Sequence, residues 1–222
     1  MFKLNEKMMA LVRLQRTWAM KAKNPRIADL YLKSCEQDLK SMVKALPKKE
    51  PGEDIRILDI GAGLGGVDVL LYHHYKSLGV NALLYALDKN EVVDNIKYGY
   101  SNKPSFYNDL QTTKEFWGLN GVPFGNCCFS TEFPKNKKFD LIISLISCGF
   151  HYPILEYISY IRESITSKTM IVLDIRKLSG QFDTLHNTFD WVNCLQINKK
   201  YKRMACRGIA DGPDIKGTDF LG

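Results

Sequence analysis

The chain has 222 residues, of which 45% are hydrophobic and 25% charged, and its formal net charge is +7. This composition is typical of a globular protein, and a chain of this length can bury a large core without disulfides or metal ions. No run of about 18 apolar residues is present, so a membrane-spanning helix is excluded, and we expect no signal peptide at the N-terminus. The six cysteines show no CxxC pair and no zinc-ligand spacing, which predicts reduced thiols in a cytoplasmic protein.

The positive charge is concentrated near the N-terminus. Residues 1–46 contain ten Lys/Arg against four Asp/Glu, whereas the remainder of the chain is nearly neutral. A high overall pI is therefore weak evidence for a nucleic-acid partner, but a local basic contact made by the first 46 residues stays open.

The first 50 residues predict a helical extension. Apolar residues recur at helical spacing over 4–20 and again over 26–46, and Asn24-Pro25 separates the two stretches. A polar Pro/Lys-rich linker follows. We predict three parts: an extension over 1–50, a main domain over 51–207 and a tail over 208–222.

Strands and helices alternate along the main domain. Predicted strands cover 55–60, 81–88, 125–131, 141–147 and 169–175, and the last two strands form a hairpin around Asn198-Lys199. Predicted helices follow the first strand at 67–79 and cover 90–98, 108–120, 153–167 and 179–189. Alternation with apolar strands predicts a doubly wound, mostly parallel α/β sheet with an antiparallel strand inserted at one edge.

A glycine-rich turn is the sharpest motif. Leu58-Asp59-Ile60-Gly61-Ala62-Gly63-Leu64-Gly65-Gly66 lies between a predicted strand and a predicted helix. Glycines allow a tight turn and close approach of a ligand, and the helix N-terminus offers free N–H donors. The spacing also satisfies G-x-G-x-x-G, the dinucleotide fingerprint.

Of two carboxylates near this turn, Asp59 favours a positively charged ligand over a dinucleotide, whereas the ribose contact expected of Asp88 fits either cofactor. Asp59, two residues before Gly61, suits a ligand with a positive group, such as the amino group of a methionine moiety, and suits a pyrophosphate poorly. Asp88 ends the second strand, 22 residues after Gly66, and can accept both hydroxyls of a ribose.

These residues resemble the class I S-adenosylmethionine-dependent methyltransferases. The resemblance covers about residues 50–207 and is carried by LDIGAGLGG, ALDKN and FDLIISL. It implies a seven-stranded sheet with the last strand antiparallel. It also implies a cofactor site formed by Asp59, Gly61, Ala62, Gly63, Gly65, Asp88, Lys89, Thr131 and Ser144. In this site the loop cradles the methionine part and Asp88 holds the ribose. Ser130, Thr131 or Glu132 would border the adenine, with Asn108-Asp109 as an alternative.

The methyl acceptor is expected beyond the carboxyl ends of the strands, where open parallel sheets bind ligands. The fourth strand leads into Gly149-Phe150-His151-Tyr152-Pro153. An imidazole titrates near neutral pH, so His151 is the candidate general base and Tyr152 the candidate positioning group. The alternative is that His151 only lines the pocket or caps the next helix.

Other polar residues are weaker candidates. Asp174 could orient the acceptor, and Arg176 or Lys177 could bind an anionic substrate, unless all three simply belong to a polar loop. His73, His74 and His186 are interpreted as surface groups and Cys148 as a packing residue. No carboxylate trio marks a metal-dependent site of the catechol type, so no metal is predicted.

Two acceptor classes follow. The first is a small molecule or glycan methylated on oxygen, with a lid that includes Met8, Met9, Leu11, Trp18 and Met20, unless this stripe is ordinary packing. The second is tRNA or rRNA, bound by the basic extension and by Lys199, Lys200, Tyr201, Lys202, Arg203 and Arg207. An NAD(P)-dependent oxidoreductase and a non-catalytic subunit with the same fold are the remaining alternatives. The sequence leaves the oligomeric state open.

Overall fold

A seven-stranded sheet forms the centre of the fold in the computed structural model, which describes residues 1–16, 26–92 and 107–209. The strands are β1 (Asp54–Ile60), β2 (Asn81–Leu87), β3 (Glu91–Val92), β4 (Tyr107–Asn108), β5 (Cys127–Ser130), β6 (Leu141–Ser144), β7 (Met170–Arg176), β8 (Trp191–Ile197) and β9 (Tyr201–Arg207). The α-helices of the described residues are α1 (Glu6–Gln15), α2 (Ile27–Met42), α3 (Gly66–Ser77), α4 (Leu110–Leu119), α5 (Leu155–Ser164) and α6 (Gln181–Thr188). Short 3-10 turns cover Val43–Ala45 and Phe124–Asn126.

The strand order in the large sheet is β5-β2-β1-β6-β7-β9-β8. The first five strands in this order are parallel, and β9 lies antiparallel between β7 and β8. The predicted doubly wound seven-stranded sheet with its C-terminal antiparallel hairpin is therefore confirmed. Since β1 lies near the centre and the chain crosses over on both of its sides, the ends of β1, β2 and β6 meet at one edge.

Both faces of the sheet are buried. Alternate residues of β1 belong to different core clusters: Ile57 packs with the cluster that includes α1 to α4, and Leu58 packs with the cluster under α5 and α6. This two-sided burial explains why the central strands are apolar without alternation.

The N-terminal helices pack against the first of these clusters. Asn5 caps α1 by accepting a hydrogen bond from the Met8 backbone, and Phe2 meets Phe116 of α4 edge to face. Met8 and Leu11 are buried in the core, with Met9 packed against it, so these residues do not form the apolar lid considered from the sequence. Trp18 and Met20 lie outside the described residues.

Several sequence-based boundaries were wrong, among them the following two. Glu91 and Val92 were predicted to be helical but form β3, which pairs antiparallel with β4. The apolar periodicity of this short segment is ambiguous, so its backbone pairing with β4 determines its conformation. The predicted helix over 90–98 lies outside the described residues from 93 onward. The fourth strand ends at Ser144 rather than at 147, because Ile146 has a left-handed backbone (φ 60°).

The N-terminal boundary of the main domain stays a prediction, and nearly all of the predicted tail over 208–222 is outside the described range. No helix in the described segments is both long and apolar enough to cross a membrane. All six cysteines lie in these segments and are free thiols.

Candidate functional site

The glycine loop lies directly beyond the carboxyl end of β1. Gly61, Gly63 and Gly65 have φ values of +76°, +56° and +71°, in the left-handed region that favours glycine. A Cβ atom would overlap Ser147 at Gly61 and the Trp117 indole at Gly65. The loop therefore requires glycine for its conformation and also for the close approach of neighbouring elements.

Asp88, at the end of β2, lies against the middle of this loop. Its carboxylate accepts hydrogen bonds from the backbone of Gly63 (2.7 Å) and of Lys89 (2.8 Å) and from the Asn108 amide (3.1 Å). Burial raises the pKa of Asp88 to about 6, and these three hydrogen bonds oppose the shift. Asp88 thus presents a fixed, half-buried carboxylate toward the cleft.

Two further carboxylates are buried beside the loop. Asp59 lies in β1 and Asp68 in the first turn of α3; they are 5% and 1% exposed. Within the described part of the chain, one oxygen of Asp59 and both oxygens of Asp68 have no hydrogen-bond partner. Burial raises the pKa of Asp68 to about 7, and burial together with the Asp68 charge raises the pKa of Asp59 well above its usual value.

An unpaired buried carboxylate is costly unless a cation or a proton compensates it. The helix N-terminus at Asp68 contributes only part of that compensation. Asp59 and Asp68 hydrogen-bond to each other when one of them is protonated, and burial favours the protonated form of both carboxyl groups.

The three carboxylates line one narrow cavity of about 90 Å³, together with the glycine loop, Asn108 and Tyr152. Gln15 and Arg16, at the C-terminal end of α1, also line this cavity. The side-chain oxygen Oε1 of Gln15 accepts a hydrogen bond from the Leu64 backbone (2.9 Å), and its side-chain nitrogen Nε2 donates to Asn108 Oδ1 (3.0 Å).

A second cavity of about 410 Å³ adjoins the first and shares the walls formed by Gln15, Arg16, Ile146 and His151. Its outer walls come from α2 on one side and from the β8–β9 hairpin with the end of β7 on the other. The two cavities are therefore neighbouring chambers on one edge of the sheet.

His151 lies where the chambers meet. Its backbone N–H donates to the Ser147 carbonyl (2.8 Å), and its ring packs edge to face on Phe150 (4.9 Å). Tyr152 faces the first chamber, where burial raises the pKa of its phenol to about 12 and keeps it protonated. The structure thus brings the two predicted acceptor-side residues to the same place as Asp59, Gly61, Ala62, Gly63, Gly65 and Asp88.

Three other predicted cofactor residues lie apart from the described cavity walls. Lys89 and Thr131 are exposed. Ser144 is buried, donates its hydroxyl to the Ile60 carbonyl (2.6 Å) and accepts from the Cys148 backbone (2.9 Å), so it joins β6 to β1. Both adenine-side alternatives lie beside Asp88: the Asn108 amide donates to the Asp88 carboxylate (3.1 Å), and the Ser130 carbonyl accepts from the Asp88 backbone (3.1 Å).

The structure contradicts two roles considered from the sequence, that of Asp174 in orienting an acceptor and that of Arg203 in binding RNA. Arg203 is fully buried and donates two hydrogen bonds to the Asp174 carboxylate (2.7 and 2.8 Å), one to the Asp38 carboxylate (3.0 Å) and one to the Asp38 backbone carbonyl (3.1 Å). It cannot contact RNA phosphates, and Asp174 is not available to orient an acceptor. The basic sequence around Arg203 gave no sign of these buried ion pairs, because the partners of Arg203 are 29 and 165 residues away.

Of the histidines interpreted as surface groups, His73 on α3 and His186 on α6 are exposed, whereas His74 on α3 is half-buried. Cys148 is buried in the core, where burial raises the pKa of its thiol. In the part of the chain that the structure describes, no group of three His, Cys, Asp or Glu residues is placed to hold a metal ion.

Sequence reasoning missed several residues of the site: Gln15, Tyr31, Asp68 and Trp117. Tyr31 accepts a hydrogen bond from the Gly66 backbone (3.0 Å), and the Trp117 indole donates to the Leu64 carbonyl (3.2 Å). Only Asp68 had a local signal, as an acidic residue three positions after Gly65, but first-turn acidic residues are common at any helix N-terminus.

No protein-family model and no curated protein sequence matches the chain. Solved structures do match. Precorrin-6y C5,15-methyltransferase from Geobacter metallireducens has a TM-score of 0.51 at 15% identity, covering 76% of this chain and 86% of that one. The T. thermophilus 16S rRNA N2 G1207 methyltransferase, in complex with AdoMet and guanosine, has a TM-score of 0.51 at 12% identity, covering 84% and 44%.

Precorrin 8w decarboxylase from Methanobacterium thermoautotrophicum has a TM-score of 0.50 at 17% identity, covering 78% of this chain and 90% of that one. At these identities the likeness concerns the fold. The chain has the fold of the class I S-adenosylmethionine-dependent methyltransferases that its glycine loop and strand motifs resemble.

Proposed function

We propose that the chain is an S-adenosylmethionine-dependent methyltransferase that binds its donor across the ends of β1 and β2. The observation that carries this proposal is the pair of buried, unpaired carboxylates, Asp59 and Asp68, beside a glycine loop that Asp88 also contacts. The methionine end of the donor carries an ammonium and a sulfonium, and these positive charges compensate a buried acidic pair.

Different residues of the chain bind different parts of the donor. Asp59 and Asp68 hold the ammonium end, the backbone of Gly61 to Gly65 approaches the methionine part, and Asp88 accepts the ribose hydroxyls. A dinucleotide fits this set less well, because a pyrophosphate would lie among three carboxylates. Contacts by Lys89, Thr131 and Ser144 stay predictions.

His151 and Tyr152 act on the acceptor. When bound, the donor supplies a methyl carbon on sulfur; transfer to an acceptor oxygen forms the C–O bond, leaves a neutral thioether and frees the hydroxyl proton. His151 accepts that proton through its imidazole, and Tyr152, protonated at neutral pH, donates a hydrogen bond that orients the acceptor. Methylation of oxygen is accordingly the proposed reaction.

A small molecule or glycan is the proposed acceptor, and RNA is the alternative. The walls of the second chamber support the former, since they surround a space within the ~300–1,000 Å³ range of small-molecule pockets. For the RNA alternative, the exposed lysines at 199 and 200 remain candidates for phosphate contacts, whereas the buried Arg203 does not.

Calorimetric titration with S-adenosylhomocysteine and, separately, with NAD tests the proposal. We expect the first ligand to bind and NAD to give no heat. Asp88→Ala removes charge-assisted hydrogen bonds worth about 1.5–3 kcal/mol, so it is expected to weaken binding about ten- to hundredfold. Asp183→Ala, on the exposed surface of α6, is the control and should leave affinity unchanged. Tight NAD binding, or an unchanged affinity in Asp88→Ala, would refute the assignment.

A further inference from the structure

The second chamber has an unbalanced positive charge. Three cationic side chains line it (Arg16, Arg176 and Lys200) against one carboxylate, Asp38. Asp38 is already shared, since Arg16 reaches it at 3.5 Å and the buried Arg203 at 3.0 Å. Within the described residues neither Arg176 nor Lys200 forms an ion pair.

Arg176 is held in place although it lacks an acidic partner. It is half-buried at the end of β7, and its guanidinium lies 5.0 Å from the centre of the Phe150 ring. Its backbone N–H donates to the Gly149 carbonyl (2.9 Å), which fixes the strand end against the His151 loop. A pre-positioned guanidinium presents a rigid fork of donors that matches a carboxylate or a phosphate.

Phe150 connects this cation to the proposed base. The same ring contacts Arg176 on one side and, edge to face, His151 (4.9 Å) and Tyr201 (5.8 Å). A ligand that reaches both Arg176 and His151 must therefore extend past one aromatic ring. The outer walls add neutral polar groups, including Gln196, Asn198 and Ser34, and no further acidic group among the described lining.

We infer that the methyl acceptor is a small anion, with a carboxylate or phosphate ester bound by Arg176 at one end and the accepting hydroxyl at His151 at the other. This inference rests on the proposed function, which it deepens by naming the substrate class. Arg176 is then the specificity-determining residue of the acceptor chamber, and Lys200 at its rim adds long-range attraction for the anion.

Binding of simple probes in the absence of donor tests this inference separately from donor binding. The probes are 4-hydroxybenzoate, 4-hydroxyphenyl phosphate and the neutral 4-hydroxybenzamide, titrated while backbone amide NMR signals are followed. We expect at least one anion to bind tenfold or more tightly than the amide, with the largest shifts at Gly149, Phe150 and Tyr201. The stronger of the two anions identifies carboxylate or phosphate as the source.

Arg176→Met is expected to reduce anion affinity to that of the amide, and Arg176→Lys, which keeps the charge without the planar fork, to retain part of the preference. Arg56→Met is the matched control, because Arg56 is exposed in the amino-terminal half of β1, toward the opposite edge of the sheet. Equal binding of the three probes, or a preference that persists in Arg176→Met, would overturn the inference. So would micromolar, salt-sensitive binding of a 20-nucleotide RNA by a protein that binds none of the probes.

Discussion

The Gln15 side chain, at the end of α1, accepts a hydrogen bond at 2.9 Å from the backbone of Leu64 in the glycine loop, 49 residues further along the chain. The same carboxamide donates to Asn108, which in turn bonds Asp88. The end of the N-terminal helix therefore lines the donor chamber, whose volume of about 90 Å³ is below the ~300–1,000 Å³ range of small-molecule pockets. We expect the donor to displace the Gln15 contact on binding, so that the free energy of breaking this contact is subtracted from the donor's affinity.

Gln15→Ala is accordingly expected to have opposite effects on stability and on binding. Loss of two hydrogen bonds should lower the free energy of unfolding by about 1–2 kcal/mol, whereas the affinity for S-adenosylhomocysteine should rise severalfold. Urea denaturation and calorimetry measure the two quantities. Arg13→Ala on the same helix is the control; a weaker affinity in Gln15→Ala would mean that Gln15 contacts the bound donor.

The acidic pair should give the unliganded protein a characteristic pH dependence. The pKa of Asp68 is about 7 in the folded chain, raised by burial, against an ordinary value near 4. Between these values the native state binds more protons than the unfolded state, so the free energy of unfolding falls as pH rises from about 4 to 7.

Asp68→Asn removes this contribution. Relative to the unsubstituted protein, the variant should gain stability progressively from pH 4 to pH 8, on the order of 1–3 kcal/mol, while it loses donor affinity. Chemical denaturation at four pH values measures the trend, with the exposed Asp183→Asn as control. A stability difference that does not change with pH would show that Asp68 is ionised throughout.

Because Arg203 and Asp174 form a buried ion pair, replacing Arg203 by a neutral side chain is expected to lower the free energy of unfolding strongly. Arg203→Met leaves Asp174 buried without its two hydrogen bonds, and we expect the free energy of unfolding to fall by about 3–5 kcal/mol. The double variant Arg203→Met/Asp174→Leu should recover much of that loss. Arg207→Met, exposed and packed over Trp191, should cost less than about 1 kcal/mol. Equal effects of the Arg203 and Arg207 substitutions would contradict the role of the pair.

His151→Ala should separate chemistry from donor binding. Removal of the general base is expected to lower the rate of methyl transfer about 10²- to 10⁴-fold with a responding acceptor, and to leave affinity for S-adenosylhomocysteine within about twofold. Transfer of a labelled methyl group and calorimetry are the two measurements, and exposed His186→Ala is the control. Parallel loss of both properties would mean that His151 is structural.

The parts of the fold visible in the sequence are those determined by local patterns. Alternating apolar strands and helices predicted the doubly wound sheet, and Asn198-Lys199 predicted the hairpin that inserts β9 between β7 and β8. The glycine loop was visible because the turn at Gly61 to Gly65 requires residues that tolerate positive φ, and Asp88 was a candidate because it ends the second predicted strand.

The parts that were missed depend on contacts between distant segments. Arg203 is one of five basic residues close together in sequence, and only the fold shows that it alone points inward to Asp38 and Asp174. Gln15 looked like one polar position on an amphipathic helix, although it bonds the glycine loop. No local pattern identifies partners so far apart along the chain.

A crystal structure of the protein with S-adenosylhomocysteine tests the proposed donor site most directly. We predict that the amino group lies within hydrogen-bond distance of Asp59 or Asp68, that both ribose hydroxyls face Asp88, and that the Gln15 contact with Leu64 is broken. A ligand bound elsewhere, or one whose amino group points away from both carboxylates, would contradict the proposed site.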